Sequence, residues 1–421
     1  MKWKPLLPVL VLMINATAIV TAAEPAANYD ETKMPPYVLP ELMKNADGTP
    51  VKTAADWTGK RRPELLALFE KQMFGRSPDR PALAFEVQEE ATSALNGKAL
   101  RKQVKVFLTG KKEGPGFSLL IYTPAVAAKT PVPFFLGLNF EGNPSVLEDP
   151  KILPRTDPKP GDIVDGKPAP AAKPVPPGSQ SSRWQVEWLM SQGYGTATAW
   201  YWDIDPDYHD GFKNGIHALY PDIEKSRNGE TWGSLAAWAQ GLRLAMDYLE
   251  KEPLCDAKRV ALHGHSRLGK AALWAGATDE RFSLVISNES GCGGAALSKR
   301  IYGETVGRIN THFPHWFCSN YHAWNNREAE MPFDQHQLLA LIAPRALLVG
   351  SAEGDQWADP AGERLALEYA APAFFLTAGE AKSPKSPLLQ AKQAYFIRPG
   401  KHDVMDSDWQ AWVDFARTVW K

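Results

Sequence analysis

Hydrophobic and polar residues alternate along three segments in the first third of the chain, at residues 83–90, 102–109 and 117–123. A period of two is typical of strands that bury one face, and the short polar stretches between the segments predict antiparallel pairing. Residues 132–140 are almost continuously apolar, which indicates a strand buried on both faces. The preceding residues 24–60 are polar and contain several prolines, and we interpret them as an arm that wraps around the domain.

Farther along, short apolar runs alternate with longer segments of helical period. The clearest helix is 234–250, whose apolar stripe consists of Leu235, Trp238, Leu242, Ala245, Met246 and Leu249. The other predicted strands are 195–202, 259–263, 282–288, 346–350 and 394–397, and the other predicted helices are 64–73, 184–191, 360–370 and 406–420. Strands that alternate with helices predict a mainly parallel sheet with right-handed crossovers. The predicted fold class is therefore α/β, a three-layer αβα sandwich in one domain from residue 24 to 421.

Two segments fall outside this pattern. A basic start, an apolar run at residues 6–20 and small residues before Glu24 are typical of a secretory signal peptide, residues 1–23. The apolar run is shorter than the roughly 18–20 residues that a membrane span needs. We therefore expect export, either to the periplasm or out of the cell. Residues 150–180 are rich in proline, lysine and glycine without an apolar period, which predicts a long surface loop.

The overall composition excludes some classes of function. The formal net charge is −1 and the isoelectric point is about 6.8, which gives no electrostatic basis for binding nucleic acid or a membrane. The three cysteines, Cys255, Cys292 and Cys318, allow at most one internal disulfide, and their pairing is left open. Their spacing is not that of a metal site, and no metal or cofactor is expected. We expect a monomer, although the sequence does not fix the oligomeric state.

The most informative segment for chemistry follows the predicted strand 259–263. Directly after that strand come, in order, Gly264, His265, Ser266, Arg267, Leu268 and Gly269. A strand, Gly-x-Ser and a helix that opens with small residues form the layout of a nucleophile elbow, in which a strained turn exposes the serine hydroxyl at the top of a parallel sheet. The second glycine comes one position later than the pattern G-x-S-x-G requires. A serine that only caps the helix is the alternative interpretation.

A serine nucleophile needs an adjacent base, which is itself oriented by an acid. His402 is the only histidine between the last predicted strand and the last predicted helix, where α/β-hydrolases carry their base. Two carboxylates compete for the third role. Glu289 ends the strand after the elbow helix, and Asp355 ends the strand that follows. Either can reach His402, or both can contact it, and the residues themselves do not rank them.

These motifs resemble those of the glucuronoyl esterases, carbohydrate esterase family 15. The family's elbow reads Gly-x-Ser-Arg-x-Gly-Lys, which Lys270 completes here, and its Glu-Ser-Gly-x-Gly-Gly motif is met by residues 289–294. The resemblance runs from about residue 35 to the C-terminus, is closer to the bacterial branch, and implies the α/β-hydrolase fold. Fungal members bridge two cysteines beside the catalytic serine and histidine, whereas this chain has His265 and Asp403 at those positions.

The resemblance also implies a reaction. The family hydrolyses the ester between 4-O-methyl-glucuronic acid on glucuronoxylan and an alcohol of lignin, so these lignin–carbohydrate esters are the expected partners. Ser266 is then the nucleophile and His402 the base. The acid is Glu289 if the fungal pattern holds, or Asp355 if that of some bacterial members does. The backbone N–H of Arg267 faces the oxyanion, and its guanidinium adds a second donor.

Three further residues match sugar contacts of the family: Lys270, Glu304 and Trp357. Lys270 lies one helical turn beyond the serine, and Trp357 can lie against the pyranose ring. Without the resemblance, they are interpreted as a solvated lysine, a loop salt bridge and a core indole. Residues 312–318 combine histidines, aromatic residues and a cysteine, and we interpret them as a packed aromatic loop near the site rather than as a metal site.

Two rival functions are compatible with parts of the sequence. The first is a serine esterase with another substrate, such as an acetyl xylan esterase or a general carboxylesterase, against which Lys270, Glu304 and Trp357 argue. The second is a non-catalytic, exported carbohydrate-binding protein on a hydrolase scaffold, against which the complete set of triad candidates argues.

Overall fold

The computed structural model describes residues 26–128, 130–155, 163–164, 167–168, 175–379 and 392–421. Within these ranges the strands form a nine-stranded sheet and a separate hairpin of two short strands. The strands are β1 Ala84–Ala94, β2 Ala99–Phe107, β3 Gly116–Pro124, β4 Val132–Asn139, β5 Ile163–Val164, β6 Lys167–Pro168, β7 Gly195–Trp200, β8 Cys255–His265, β9 Leu284–Asn288, β10 Ala346–Ala352 and β11 Gln393–Arg398. The order across the large sheet is β1-β2-β3-β7-β4-β8-β9-β10-β11.

Strand direction divides this sheet into two parts. Strands β1, β2 and β3 pair antiparallel, as the alternating segments predict. Strand β3 also pairs antiparallel with β7, which the sequence did not predict. From β7 to β11 the neighbours pair parallel. The carboxyl ends of β8, β9, β10 and β11 therefore lie side by side at one edge of the sheet, where α/β folds place their active sites.

Helices cover both faces of the sheet. They are α1 Ala54–Asp56, α2 Arg62–Phe69, α3 Ser181–Trp184, α4 Val186–Ser191, α5 Tyr201–Ile204, α6 Pro221–Lys225, α7 Ser234–Leu249, α8 Arg267–Thr278, α9 Val306–His312, α10 Ser319–His322, α11 Gln335–Ala340, α12 Pro360–Ala378 and α13 Asp406–Val419. One apolar core contains residues of α2, α7, α8, α11 and α12, and a second contains residues of α4 and α13. Neighbouring strand residues such as Phe135 and Leu136 belong to different cores, because successive side chains point to opposite faces. The predicted three-layer sandwich is confirmed.

Some boundaries differ from the predictions. Helix 360–370 continues to Ala378, because residues such as Phe374 go on packing into the core. Helix 184–191 is broken at Gln185, whose φ of 43° is left-handed, into α3 and α4. The strand predicted over 195–202 ends at Trp200, and α5 begins at the next residue, Tyr201. All three cysteines are buried and free, so they form no disulfide.

The N-terminal arm wraps around the domain as predicted, since the Gly303 N–H donates to Asn28 O at 2.8 Å. The predicted signal peptide, residues 1–23, lies outside the described residues, as does about half of the predicted surface loop 150–180, at residues 156–162, 165–166 and 169–174. Among the helices that the structure describes, none combines the length and the apolar character needed to cross a membrane.

Candidate active site

Ser266 occupies the sharp turn between β8 and α8. Its φ of 57° and ψ of −129° lie outside the regions that L-residues prefer, as expected of a nucleophile elbow. Such strain costs on the order of 1–3 kcal/mol and persists only where the surroundings enforce it. Here the Ser266 N–H donates to Asn288 O at 2.9 Å. Within the described residues the side chain makes no capping bond to α8, so the alternative interpretation as a helix cap is wrong.

The displaced second glycine of the elbow has a steric reason. A Cβ at Gly264 would lie 2.1 Å from Leu268 O, and a Cβ at Gly269 would lie 3.0 Å from both Gly264 O and Ser290 Cβ. The strand end and the first turn of α8 therefore meet backbone to backbone, which leaves room only for glycine. Position 268 can carry a large residue, because Leu268 is part of the apolar core.

His402 lies in the loop between β11 and α13, as predicted. Its Nδ1 donates to Asp355 Oδ2 at 2.6 Å and lies 3.3 Å from Glu289 Oε2, which leaves Nε2 as the nitrogen that can accept a proton. The ring centre is 4.4 Å from that of His265, the residue directly before Ser266. Burial lowers the pKa of His402, but the two carboxylates outweigh burial and raise it to about 9.

Both candidate acids reach His402, but they have different partners. Asp355 follows β10 and makes the shorter contact with the imidazole. Glu289 follows β9 and is buried. Its Oε1 accepts from Arg398 Nη2 at 2.6 Å, and its Oε2 accepts from the Asp403 N–H at 3.1 Å. Burial raises the pKa of Glu289 above its usual value. Asp355 is therefore the carboxylate that is hydrogen-bonded to the imidazole of His402, whereas Glu289 pairs mainly with Arg398.

Arg398 is a site residue that sequence reasoning missed. Its buried guanidinium donates, at 3.3, 3.1 and 2.6 Å, to the carbonyls of Pro399, Lys401 and Asp403. It also donates from Nε to Asp408 Oδ2 at 2.7 Å. Asp403, at one position of the fungal disulfide, forms an ion pair with Arg183, with 2.6 Å between Oδ1 and Nε. Ion pairs and hydrogen bonds thus hold the loop that carries His402.

Arg267 is the first residue of α8, so its backbone N–H has no partner within the helix. The side chain pairs through Nη1 with the carboxylate of Asp207, a second residue that sequence reasoning missed. Its guanidinium carbon lies 4.8 Å from the centre of the Trp316 ring. Its Nε is buried and has no hydrogen-bond partner among the residues described. The predicted second donor is therefore held by Asp207 and Trp316, with 28% of its side-chain surface exposed.

Residues 312–318 form the packed aromatic loop that the sequence predicts. Phe313 stacks on Trp316 with ring centres 3.9 Å apart, and Arg267 lies over both rings. His315 contributes its Nε2, which lies 3.0 Å from Asp207 Oδ1. This loop therefore forms the wall of the site beside the arginine.

The described residues contain one cluster whose ligand atoms are close enough together to hold a metal ion. This cluster does not include any of residues 312–318. It consists of His265, Glu289 and His402, with ligand atoms within 4.8 Å of one another. Glu289 already pairs there with Arg398, and a guanidinium opposes the binding of a second cation. We therefore interpret this cluster as the surroundings of a proton-accepting histidine.

The three predicted sugar contacts lie together. Lys270 Nζ is 4.0 Å from Glu304 Oε2, and burial lowers the pKa of Lys270 and raises that of Glu304. The Glu304 N–H donates to Trp357 O at 3.0 Å. Trp357 is 39% exposed and Lys270 is buried, so the interpretations as a core indole and a solvated lysine are wrong. The salt bridge expected for Glu304 is present, and its partner is Lys270.

Comparisons with known proteins agree with this geometry. A family model described as glucuronyl esterase, fungi, matches residues 216–378. Carbohydrate esterase MZ0003, from an unknown prokaryotic organism, is 47% identical over 401 residues, which are 92% of this chain and 91% of that protein. The solved structure of a glucuronoyl esterase from Solibacter usitatus is 47% identical and has a TM-score of 0.83, over 93% of this chain and 100% of that chain.

A second solved structure, of a promiscuous CE15 esterase from a marine bacterial metagenome, is 45% identical and has a TM-score of 0.82. The match covers 93% of this chain and 99% of that chain. Identity at this level over almost the whole length, together with the same fold, shows that these proteins belong to one family. The chain therefore belongs to carbohydrate esterase family 15, the glucuronoyl esterases.

Proposed function

We propose that this protein cleaves the ester between 4-O-methyl-glucuronic acid on glucuronoxylan and an alcohol of lignin. The observation that carries the proposal is the arrangement around Ser266. This strained residue follows His265, whose ring packs against His402, and the imidazole of His402 is bonded to a carboxylate. A strained serine and an oriented imidazole are the two parts that acyl transfer requires.

In the proposed mechanism, His402 Nε2 takes the proton of the Ser266 hydroxyl as its oxygen attacks the uronoyl carbonyl carbon. The C–O bond to the alcohol then breaks, and the imidazolium returns the proton to the leaving oxygen, which leaves an acyl-enzyme. Water attacks the acyl carbon with His402 again as base, and glucuronate and free Ser266 result. Asp355 keeps the proton on Nδ1 and stabilises the imidazolium.

Arg267 stabilises the negative charge that develops on the carbonyl oxygen during both attacks. Two donors are available, its backbone N–H at the start of α8 and its guanidinium, which stays charged at every working pH. Losing one donor of this type lowers kcat by roughly 10²–10³ in related acyl-transfer sites. The Arg267 side chain keeps 28% of its surface exposed although Asp207 pairs with it, which supports this role.

The sugar side of the site favours a uronic acid over a simple acyl group. Lys270 and Glu304 present a donor and an acceptor beside the elbow helix, where hydroxyls of the pyranose ring can bind. The exposed ring of Trp357 offers an apolar face for the pyranose. A site with buried polar groups loses their hydrogen bonds when the substrate lacks the matching hydroxyls, so acetate esters should react more slowly.

The test compares kcat/KM for benzyl glucuronate and for 4-nitrophenyl acetate. We expect the uronoyl ester to be preferred, and Ser266→Ala to abolish hydrolysis of both. Ser283→Ala, which lies just before the amino end of β9, is the control and should retain activity. A strong preference for acetate would favour the general esterase. Unchanged sugar binding by Ser266→Ala, together with no turnover by the parent, would favour the non-catalytic alternative.

We also propose that the mature protein is exported and monomeric. The order of charged, apolar and small residues in 1–23 supports export. N-terminal sequencing of the protein released by a bacterial host should begin near residue 23 or 24, and sedimentation should give the mass of one chain. A retained N-terminus would contradict export with cleavage, and the mass of a dimer would contradict the monomer.

A further inference from the structure

The carboxylate of Asp207 is fully occupied by hydrogen bonds. Oδ2 accepts from Arg267 Nη1 and from the Tyr201 hydroxyl, the latter at 2.9 Å. Oδ1 accepts from Trp316 Nε1 at 2.7 Å and lies 3.0 Å from His315 Nε2. A carboxylate has about four acceptor sites, so these contacts leave none for water or substrate. The group cannot rotate without breaking several of them.

The charges of the pair are stable. Burial raises the pKa of Asp207, but the hydrogen bond from His315 and the charge of Arg267 outweigh burial and hold the pKa at about 2. Burial lowers the pKa of Arg267, and the charge of Asp207 outweighs it, so that the pKa is raised. Asp207 is therefore an anion throughout the working range of an esterase.

The same carboxylate fixes Arg267 in two ways. It binds Nη1 directly, and through Trp316 Nε1 it holds the ring over which the guanidinium lies, 4.8 Å from the ring centre. An arginine side chain has about 2 kcal/mol of rotamer entropy when it is free, so an unfixed Arg267 would spend much of its time away from the serine. With Nη1 and the ring both held, the guanidinium keeps one orientation, while 28% of the side-chain surface stays exposed.

We infer that Asp207 is a positioning residue for catalysis: it holds the Arg267 guanidinium in the orientation in which the guanidinium stabilises the developing oxyanion. The inference rests on the proposed role of Arg267 in ester hydrolysis. Asp207 touches no reacting atom, and its effect on the rate passes through the arginine alone.

A double-mutant cycle tests this path. Asp207→Asn keeps the shape of the side chain and should lower kcat for benzyl glucuronate roughly 10- to 100-fold, since a displaced donor loses less than a deleted one. KM should change by less than about 3-fold, because the arginine acts in the transition state. In the background Arg267→Met, Asp207→Asn should change kcat by less than about 2-fold, since nothing is left to position.

The matched control is Asp205→Asn in the same loop. Asp205 is also buried, and its carboxylate lies 3.7 Å from His217 Nε2, so any effect it has should be equal in both backgrounds. Circular dichroism and thermal unfolding check that each variant folds. If Asp207→Asn does not fold, the cycle is repeated with Tyr201→Phe, which removes one donor to the same oxygen and should give a smaller loss of the same pattern.

Each outcome has one meaning. An equal loss of kcat in both backgrounds would show that Asp207 only supports the fold, and a rise in KM without a loss of kcat would show that it acts on substrate binding. Both results overturn the inference. If Arg267→Met keeps the wild-type kcat, the proposed oxyanion role of Arg267 is wrong. If Arg267→Met is slow but Asp207→Asn is normal, only the positioning role is wrong.

Discussion

Asp355→Asn and Glu289→Gln should separate the two carboxylates at His402 into different roles. Asparagine keeps the shape of Asp355 but removes the charge that faces Nδ1. The corresponding change in a serine protease triad lowers kcat by about 10⁴. Here Glu289 Oε2, 3.3 Å from Nδ1, can still accept a hydrogen bond from the Nδ1–H. We therefore expect a loss of about 10²–10³ in kcat, smaller than in the protease triad.

Glu289→Gln should act mainly on stability. The carboxylate pairs with the buried guanidinium of Arg398 at 2.6 Å, and breaking a buried pair by removing one partner costs about 3–5 kcal/mol. Arg398 keeps its bond to Asp408 and to three loop carbonyls, so the lower end of that range is expected. Loss of kcat should stay below about 10-fold, because Asp355 still orients the imidazole.

The assay measures kcat and KM for benzyl glucuronate from pH 5 to 10, and urea unfolding of the same proteins. In the parent, kcat/KM should rise with pH up to the pKa of His402, about 9, because the base must be neutral. Removing a carboxylate that contacts a histidine lowers the pKa of the histidine by about 1–3 units. The rise of kcat/KM with pH should therefore occur at lower pH in Asp355→Asn than in the parent. If Glu289→Gln loses more kcat than Asp355→Asn, the assignment of the two acids is wrong.

The raised pKa of His402 also sets the pH dependence of stability. A group whose pKa is higher in the folded state stabilises the fold below its ordinary value, here 6.5, and loses that contribution as pH rises through about 9. The difference in Tm between the parent and Asp355→Asn should therefore be largest near pH 6 and should vanish toward pH 10. A difference that grows with pH would contradict the sign of the shift.

Two further substitutions test the sugar face and the elbow. Trp357→Ala should raise KM for glucuronate esters roughly 5- to 30-fold, the loss of about 1–2 kcal/mol of ring contact, and leave 4-nitrophenyl acetate hydrolysis unchanged; an equal effect on both esters would contradict stacking. Gly264→Ala places a Cβ 2.1 Å from Leu268 O and should lower the free energy of unfolding by about 1–3 kcal/mol. Gly59→Ala, where a Cβ meets nothing within 4 Å, is its control, and equal losses in the two would refute the packing argument.

The parallel half of the fold could be predicted because its strands are buried on both faces. Every residue of β10 and of β7 is buried, and neither strand contains a charged residue, so both stand out from the polar segments around them. The order of the strands could not be predicted, since β7 lies between β3 and β4. That order depends on which connections cross the sheet, and the period of hydrophobic residues along one strand contains no information about its neighbours.

Some residues of the site could likewise be predicted from the sequence, and others could not. Ser266 and His402 could be found because the residues around them form recognisable turns at strand ends. Asp207 and Arg398 could not, because each is a polar residue whose immediate neighbours form no recognisable motif. Their partners Arg267 and Glu289 lie 60 and 109 positions away in the chain. Only the packing of β7, β8, β9 and β11 in one sheet brings these pairs together, and no spacing in the sequence marks them.

The pair of Arg398 and Glu289 allows positioning to be separated from stability. A buried ion pair is weak evidence for stability, because desolvation offsets its attraction. Arg398→Met alone leaves the carboxylates of Glu289 and Asp408 buried without their arginine and should unfold at clearly lower urea concentration. Adding Glu289→Gln removes one of these two charges, so the double variant should regain part of the lost stability, while Asp408 stays buried without its arginine. The double variant would still lack the donors to the carbonyls of 399, 401 and 403, and kcat should therefore stay low. Activity that recovers together with stability would mean that the pair acts on the fold rather than on the position of His402.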